Sequence, residues 1–418
     1  MANSTTTSLQ MPSSAPPLTS PHHETEVETI DQPQALAAVL HALRGDDPVA
    51  IDTEFHSERT YIPRLMLLQV ATASQVWLLD PLTLDLQPVI EALARPGRLV
   101  IGHAVRNDLR ILWQVYGVRF GMVLDTQVAG AFLGHGLQIG LGPLLQRELG
   151  IKLAKGEQMA DWSQRPLPEK LKSYAAGDVL HLATLWQQMA DRLQQSGRLG
   201  WVEQECRELS EPTQFDRDPD QAGDRVAGAR RLDPREAGIV YALAAERERL
   251  AQQEDVVPHF LLPDEMVLAL AKAQPRTVRD LQGDRRLQQR GVQRHGQRWI
   301  DAIALGLRNP VHRAPGRAPP PPELEAVAAL AMLQLADLAN REQVAPQLLL
   351  KRDTLVNSLQ DQPTSAEMLA DSCSLRGWRR DLVMDALWQF LAGRVQVRCA
   401  ADAESGFRLS FSGASAAE

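Results

Sequence analysis

Cysteine is nearly absent: Cys206, Cys373 and Cys399 are the only three in 418 residues, and no two stand at a metal-ligand spacing. That excludes a disulfide framework or a cysteine-built zinc site as the basis of the fold. Long apolar runs are missing as well. The richest, Ala326 to Leu335, is interrupted by Gln334 and followed by Asp337, so it falls short of the roughly 20 residues of a membrane helix and reads as a core helix. The start of the chain lacks the basic segment and apolar block of a secretory signal, so a cytoplasmic location with no membrane partner is expected. Positive charge is not in excess either. A net charge of −8 and a pI of about 5.8 exclude a protein that coats nucleic acid with its whole surface, so any polynucleotide contact must be local.

What is present is length, and it divides. At 418 residues the chain exceeds the about 100 to 200 of one compact domain. Residues 1–24 are Ser, Thr and Pro with almost nothing apolar to bury, and read as a disordered arm. Leu36, Val39, Leu40 and Leu43 then recur at helical spacing, and Pro48 to Asp52, Leu65 to Ala71 and Gln75 to Leu79 read as strands. From Asp85 the patterns alternate: a helix over 85–95, a strand from Arg98 to His103, and a helix with Leu109, Leu112, Trp113 and Tyr116 on one face. Strands first and alternation after predict a mixed sheet flanked by helices. Beyond residue 140 the pattern is helical, with one long helix from Pro168 to Arg192.

Acidic Glu211 to Asp224 and proline-rich Asn309 to Pro322 read as linkers. The expected organisation is an α/β domain at 25–210, a linker at 211–229, all-α modules at 230–308 and 323–395 around a second linker at 309–322, and a tail at 396–418. In that tail VQVR and FRLSF alternate at period two around Gly406, as in a hairpin. The two helical modules share a repeat. Shifted by 88 positions, AQQEDVVPHFLL (Ala251–Leu262) and ANREQVAPQLLL (Ala339–Leu350) agree at six of twelve residues, which indicates duplication.

Chemistry concentrates in acids of the first domain. Asp52 and Glu54 follow the apolar strand VAI and, two residues apart, project from one face of it. Two adjacent carboxylates repel unless a cation sits between them. Asp108 follows the strand LVIGH and opens a helix, where the positive end of the helix dipole favours an acid. Tyr174 and Asp178, four apart in KSYAAGDVLHL, share a helix face. Asp125, at the start of another helix, reads as an N-cap.

In this order the residues resemble the DEDD superfamily of 3′→5′ exonucleases, in its tyrosine subclass, and closely ribonuclease D. AIDTEF (Ala50–Phe55) is similar to the first exonuclease motif, HAVRNDL (His103–Leu109) to the second, and DWSQRPL with YAAGDV (Asp161–Leu167, Tyr174–Val179) to the third. The resemblance implies an RNase H-like α/β fold and two divalent cations, Mg²⁺ or Mn²⁺, held by Asp52, Glu54, Asp108 and Asp178. Hard cations of this kind take oxygen ligands. It further implies Asp52 between both cations, Glu54 and Asp178 on the one beside the attacking water, and Asp108 on the other. Tyr174 would orient that water, since a phenol with a pKa of about 10 is a poor base at neutral pH. His56 and His103, next to the acids, are placed for contact with a terminal nucleotide, and Arg59 and Tyr61 in the following loop for phosphate and base. The implied substrate is RNA with a single-stranded 3′ end, such as a tRNA precursor, with no obligate protein partner.

The helical modules resemble the HRDC domain, the first through LAQQEDVVPHFLLPDEMVLALA and RHGQRWIDAI, the second, more diverged, through RGWRRDLVMDALWQFLAG. Lys272, Arg285, Arg286, Arg290, Arg294 and Arg298 make the first copy the better surface for phosphates, which give affinity without sequence information. Two other readings use the same residues. A DNA-directed 3′→5′ exonuclease would prefer DNA ends, and a binding protein with a silent nuclease domain would cleave neither.

Overall fold

The computed structural model describes residues 26–153, 160–211, 215, 217–229, 232–312, 317, 319–402 and 406–413. The arm expected over 1–24, parts of both linkers and the end of the tail lie outside them.

The α/β domain is built on a mixed sheet of β1 (Glu26–Ile30), β2 (Val49–His56), β3 (Arg64–Ala71), β4 (Gln75–Leu79), β5 (Val100–Gly102) and β6 (Val123–Asp125), in the order β1-β4-β3-β2-β5-β6. The short turns between β2, β3 and β4 make them antiparallel. The parallel steps from β2 to β5 and β5 to β6 need crossovers, supplied by α2 (Gln87–Leu93) and α3 (Arg106–Tyr116). β1 was not expected from the sequence. It pairs in parallel with β4 at the sheet edge, and EVETI buries only Ile30 fully, too little for an apolar signal.

Alternation along the strands sorts the core onto two faces. Ile51, Leu68, Val70, Trp77 and Leu79 pack with α1 (Leu36–Ala42), α2 and α3. Ala50, Leu67, Ala71, Val76 and Leu78 pack on the other side with α4 (Thr126–Ala131), α5 (Leu141–Glu148), α6 (Glu169–Leu180), α7 (Leu182–Gln195) and α8 (Leu199–Leu209). Both faces are covered, which is why β3 and β4 read as nearly continuous apolar runs.

The long helix expected over 168–192 is two helices. The chain turns at His181, so that α6 lies on β2, β3 and β4 while α7 lies on α4, α5 and β5. The apolar spacing of Leu171, Ala175 and Val179 continues into Leu182, Leu185, Trp186 and Met189 without a break, so periodicity alone does not reveal the turn.

The segment read as the first linker is packed. Phe215 is buried in the α/β core, Pro219–Arg225 forms 3₁₀ turns, and Ala222, Val226 and Ala229 are buried in the next core. Its few apolar residues give it something to cover, which its acidic composition hid. That next core belongs to α9 (Pro234–Glu254), α10 (Pro258–Leu261), α11 (Asp264–Ala273), α12 (Val278–Gln282) and α13 (Gln289–Arg308). A second helical module follows: α14 (Pro322–Arg341), α15 (Arg352–Gln360), α16 (Ala366–Ser372) and α17 (Gly377–Leu391). The sequence repeat reappears in the backbone. Asp255 and Gln343 are both left-handed at helix ends, with Val256 N–H donating to Ala251 O at 3.1 Å and Val344 N–H to Ala339 O at 2.9 Å. Gln274 and Gln362, again 88 apart, are left-handed too. After α17 the period-two tail forms an antiparallel hairpin, β7 (Val395–Asp402) with β8 (Gly406–Gly413).

The modules dock differently. The second shares one hydrophobic core with the α/β domain. Trp378 stacks on Trp201 at 5.2 Å and meets Phe132 edge-on at 5.0 Å, its indole N–H donates to Glu205 at 2.9 Å, and Arg379 binds the same carboxylate through two nitrogens at 2.5 and 2.6 Å. The first module keeps its own core and meets the α/β domain through polar groups. Tyr61 donates its hydroxyl hydrogen to Glu248 at 2.6 Å, and Ile62 N–H donates to Asp255 at 3.0 Å. Truncating a buried Trp costs about 3 to 5 kcal/mol. Trp378→Ala is therefore expected to lower the denaturation midpoint of the α/β domain together with the second module, seen as one shifted transition; an unchanged α/β transition would show the shared core to be unimportant.

Candidate active site

Alternation on β2 decides what its acids meet. Asp52 and Glu54 follow Ala50 on the face covered by α6, while Thr53 shares the Ile51 face covered by α3. From α6 come Tyr174 and Asp178, one turn apart. Carboxylate oxygens of Asp52, Glu54 and Asp178 all lie within 4.8 Å of one another. The register of β2 against β3 shifts between Glu54 and Phe55, a bulge of the kind that re-aims side chains beside active sites. Asp108 enters from the first turn of α3, buried, and accepts a hydrogen bond from the Thr53 hydroxyl across the strand. It lies outside the group of three, yet its charge acts on both Asp52 and Glu54.

The loop that delivers Asp108 is tightly held. Ala104 takes a left-handed φ of 57°, an uncommon conformation for a residue with a side chain. Buried Asp125 accepts from Ala104 N–H at 2.9 Å and Val105 N–H at 3.0 Å, while capping α4 through Gln127 N–H at 2.8 Å. Gly102 is required just before, since a Cβ there would stand 2.1 Å from the Val105 side chain. Asp125 thus joins the starts of two helices.

Electrostatics shows what the cluster lacks. Burial first, then the charges of Asp108, Asp178 and Glu54, push the Asp52 carboxyl well above the usual range. Glu54 is raised to about 8 by burial and by Asp178 and Asp108. Asp108 is raised to about 7 by burial, against hydrogen bonds from Thr53 and its own N–H. Asp178 is raised to about 6 by burial, against the hydrogen bond donated by Tyr174. The Tyr174 phenol is itself pushed up, by burial and then by Asp178, Glu54 and Asp52. Among the described residues no Lys or Arg acts on any of the four carboxylates. Crowded acids without a cation of the chain's own fit a site for divalent ions, and their all-oxygen donors suit hard ones.

The other residues singled out in the sequence are placed less centrally. His56 ends β2 with Nε2 3.9 Å from Asp161. His103 has both ring nitrogens engaged, Nε2 with Ile139 O at 3.1 Å and Nδ1 with the Thr126 hydroxyl at 2.9 Å, and burial lowers its pKa. It supports the β5–α3 loop. Tyr61 is likewise taken, by Glu248. Of the basic residues in the first helical module, Arg286 pairs with Asp284 at 2.7 Å, Arg294 with Glu254 at 3.2 Å, and Arg298 with Glu246. Lys272, Arg285 and Arg290 are exposed and enter no ion pair among the described residues, so the free positive surface is about half of what the sequence suggested. Thr53 joins the site through its hydrogen bond to Asp108, from the face of β2 opposite the two acids that flank it.

A family model described as 3'-5' exonuclease matches residues 27–194, and one described as HRDC domain matches residues 236–303. Among curated relatives, the ribonuclease D of Gluconacetobacter diazotrophicus is 35% identical over 86% of this chain and 91% of its own. That of Pseudomonas paraeruginosa is 32% identical over 87% of this chain and 96% of its own. The crystal structure of Escherichia coli RNase D, described as an exoribonuclease involved in structured RNA processing, superposes with a TM-score of 0.73 at 26% identity, covering 88% of this chain and 99% of that one.

The raised acids couple stability to pH. Folded-state values of about 6 for Asp178, about 7 for Asp108 and about 8 for Glu54 exceed the roughly 4 of free carboxyls, so the folded state keeps protons that the unfolded state has lost. Stability of the metal-free protein should therefore fall as pH rises from about 4 to about 8, the Asp178 contribution being lost first and that of Glu54 last. Divalent cations replace those protons, so saturating Mn²⁺ is expected to raise the melting temperature more at about pH 8 than at about pH 5.5. Equal shifts at both pH values would count against a cation site at these acids.

Proposed function

Because the chain belongs to the ribonuclease D family, whose members are 3′→5′ exoribonucleases, we propose that it removes nucleotides one at a time from the 3′ ends of structured RNA, tRNA precursors among them. The observation that carries this reading is the convergence of Asp52, Glu54 and Asp178 from a strand and a helix, with Asp108 acting on the first two. The reaction joins a water oxygen to the terminal phosphorus and breaks the bond to the preceding O3′, releasing a nucleoside 5′-monophosphate.

In this reading Asp52 would contribute to both cation positions, Glu54 and Asp178 would hold the cation beside the water, and Asp108 would hold the second. Bound Mg²⁺ or Mn²⁺ supplies Lewis-acid stabilisation of charge at the phosphoryl group and makes water a better nucleophile. Burial, and then the carboxylates of Asp178, Glu54 and Asp52, raise the Tyr174 phenol above its ordinary value and favour its protonated form. Its hydroxyl is therefore assigned to orienting the water rather than to taking its proton. With Asp178 accepting from it, the phenol is fixed where it orients the water, while Glu54 accepts from the water's far side.

The second helical module is read as a diverged HRDC copy, from the 88-residue repeat and its matching left-handed helix ends. On the first module, exposed Lys272, Arg285 and Arg290 are the phosphate contacts favoured.

A matched pair of 3′-overhanging RNA and DNA, resolved at single-nucleotide steps with Mg²⁺, Mn²⁺ or chelator, tests the function. RNA should be shortened from its 3′ end only with metal; preference for DNA would overturn the substrate, and no cleavage the activity. Asp52→Asn should abolish cleavage while RNA binding persists, and Tyr174→Phe should slow it by about 100-fold or more. Wild-type turnover in either variant contradicts the assigned roles.

A further inference from the structure

The catalytic groups stand on the sheet, α3 and α6, and one guanidinium outside the site ties the sheet to α6. Asp52 and Glu54 belong to the sheet, where their register partners on β3 are Gln69 and Leu67. Tyr174 and Asp178 belong to α6, which enters through the Asp161–Leu167 segment. Arg165 lies in that segment. Its Nε and Nη2 donate to the two oxygens of Asp80 at 2.5 and 2.8 Å, and Nη2 also donates to Met66 O at 2.7 Å. Its Nη1 donates back to Trp162 O at 2.9 Å and Gln164 O at 2.7 Å.

Every end of this fork matters to geometry. Asp80 is 2% exposed and directly follows β4, with its backbone N–H donating to Ile30 O at 3.0 Å, so it is fixed to the sheet. Met66 precedes Leu67, the residue paired with Glu54. On the other end Trp162, 2% exposed, sets its ring 6.0 Å from that of Tyr174 at a tilt of 44°. A path of direct contacts therefore runs from the strands beside the acids, through Arg165, to the ring that carries the catalytic hydroxyl. A planar fork bound on both sides suits this role better than a lysine, whose single ammonium cannot span the same acceptors.

We propose that Arg165, anchored by Asp80, is a positioning residue that sets the Tyr174 hydroxyl relative to the strand-borne acids through Trp162. The inference rests on the nuclease reading above, in which Tyr174 orients the water. Misplacement of about 1 Å in such a group is enough to cost about 100-fold.

The test is a double-mutant cycle on the full chain with a 3′-overhanging RNA, recording kcat, KM and melting temperature. Arg165→Ala should lower kcat by about 100-fold with KM within about two-fold, and Arg165→Lys should recover little of it. In a Tyr174→Phe background Arg165→Ala should cost less than about three-fold more, because the group it positions is gone. Asp80→Asn, which keeps the shape and weakens the anchor, should fall between, and it stands in if Arg165→Ala does not fold. Additive losses in the double variant, or wild-type kcat in Arg165→Ala and Asp80→Asn, would overturn the proposal. An inactive wild type, or an unimpaired Tyr174→Phe, would instead remove the nuclease reading on which it rests.

Discussion

Mutual repulsion among carboxylates is the constraint around which this fold is arranged. Carboxylate oxygens of Asp52, Glu54 and Asp178 are brought to within 4.8 Å of one another, partly out of water, where burial is the leading influence on each acid. Left alone, such acids neutralise by holding protons, which is what their raised pKa values express. The arrangement is stable as a set of charges only when something positive joins it. A protein that accepts this cost must hold the acids from several directions, since any one support free to relax would let them separate.

Those supports are distinct and each is rigid for its own reason. The sheet fixes Asp52 and Glu54 through their pairing with Gln69 and Leu67 on β3, and β5 pairs with β2 just before them, at Val49 and Ala50. α3 brings Asp108 in from the opposite face, where Thr53 meets it, and the left-handed turn at Ala104 is kept in place by Asp125. α6 lies across β2 to β4 with Tyr174 donating to Asp178. Polar groups that would otherwise be costly inside a fold, Asp125 and Asp80, are spent on loop amides and one guanidinium, and so they hold the site without joining it.

Much of this was legible in the residues. Period-two alternation put Asp52 and Glu54 on one face, and helical spacing put Tyr174 and Asp178 on another, because both patterns follow from local backbone geometry alone. What escaped was either weakly apolar or continuous in period. β1 buries one side chain fully, so no pattern marked it. The turn at His181 interrupts neither the apolar stripe nor the helical composition. Charge counts were the least reliable guide. Arg286, Arg294 and Arg298 looked like a phosphate surface, but Asp284, Glu254 and Glu246 come to them in the fold, two of these from a helix distant in sequence.

The two helical modules, alike in the left-handed ends of their long helices, dock in two ways. Both copies end their long helix the same way, at Asp255 and Gln343, so the fold of each unit is retained. The second has placed Trp378 and the Val344–Ala345 segment against α4 and α8, with Ala345 N–H donating to Ala131 O at 2.7 Å, and its core runs into that of the α/β domain. At the positions 88 residues earlier the first copy leaves Phe260 54% exposed, where the second carries Leu348 packed against the shared core. An apolar union of this kind resists separation in water, whereas the first module meets the α/β domain through the polar bonds of Tyr61 and Ile62. The second module is therefore part of the framework that steadies α4 and α8 behind the site, whereas the first meets the α/β domain through polar groups at the Tyr61 loop.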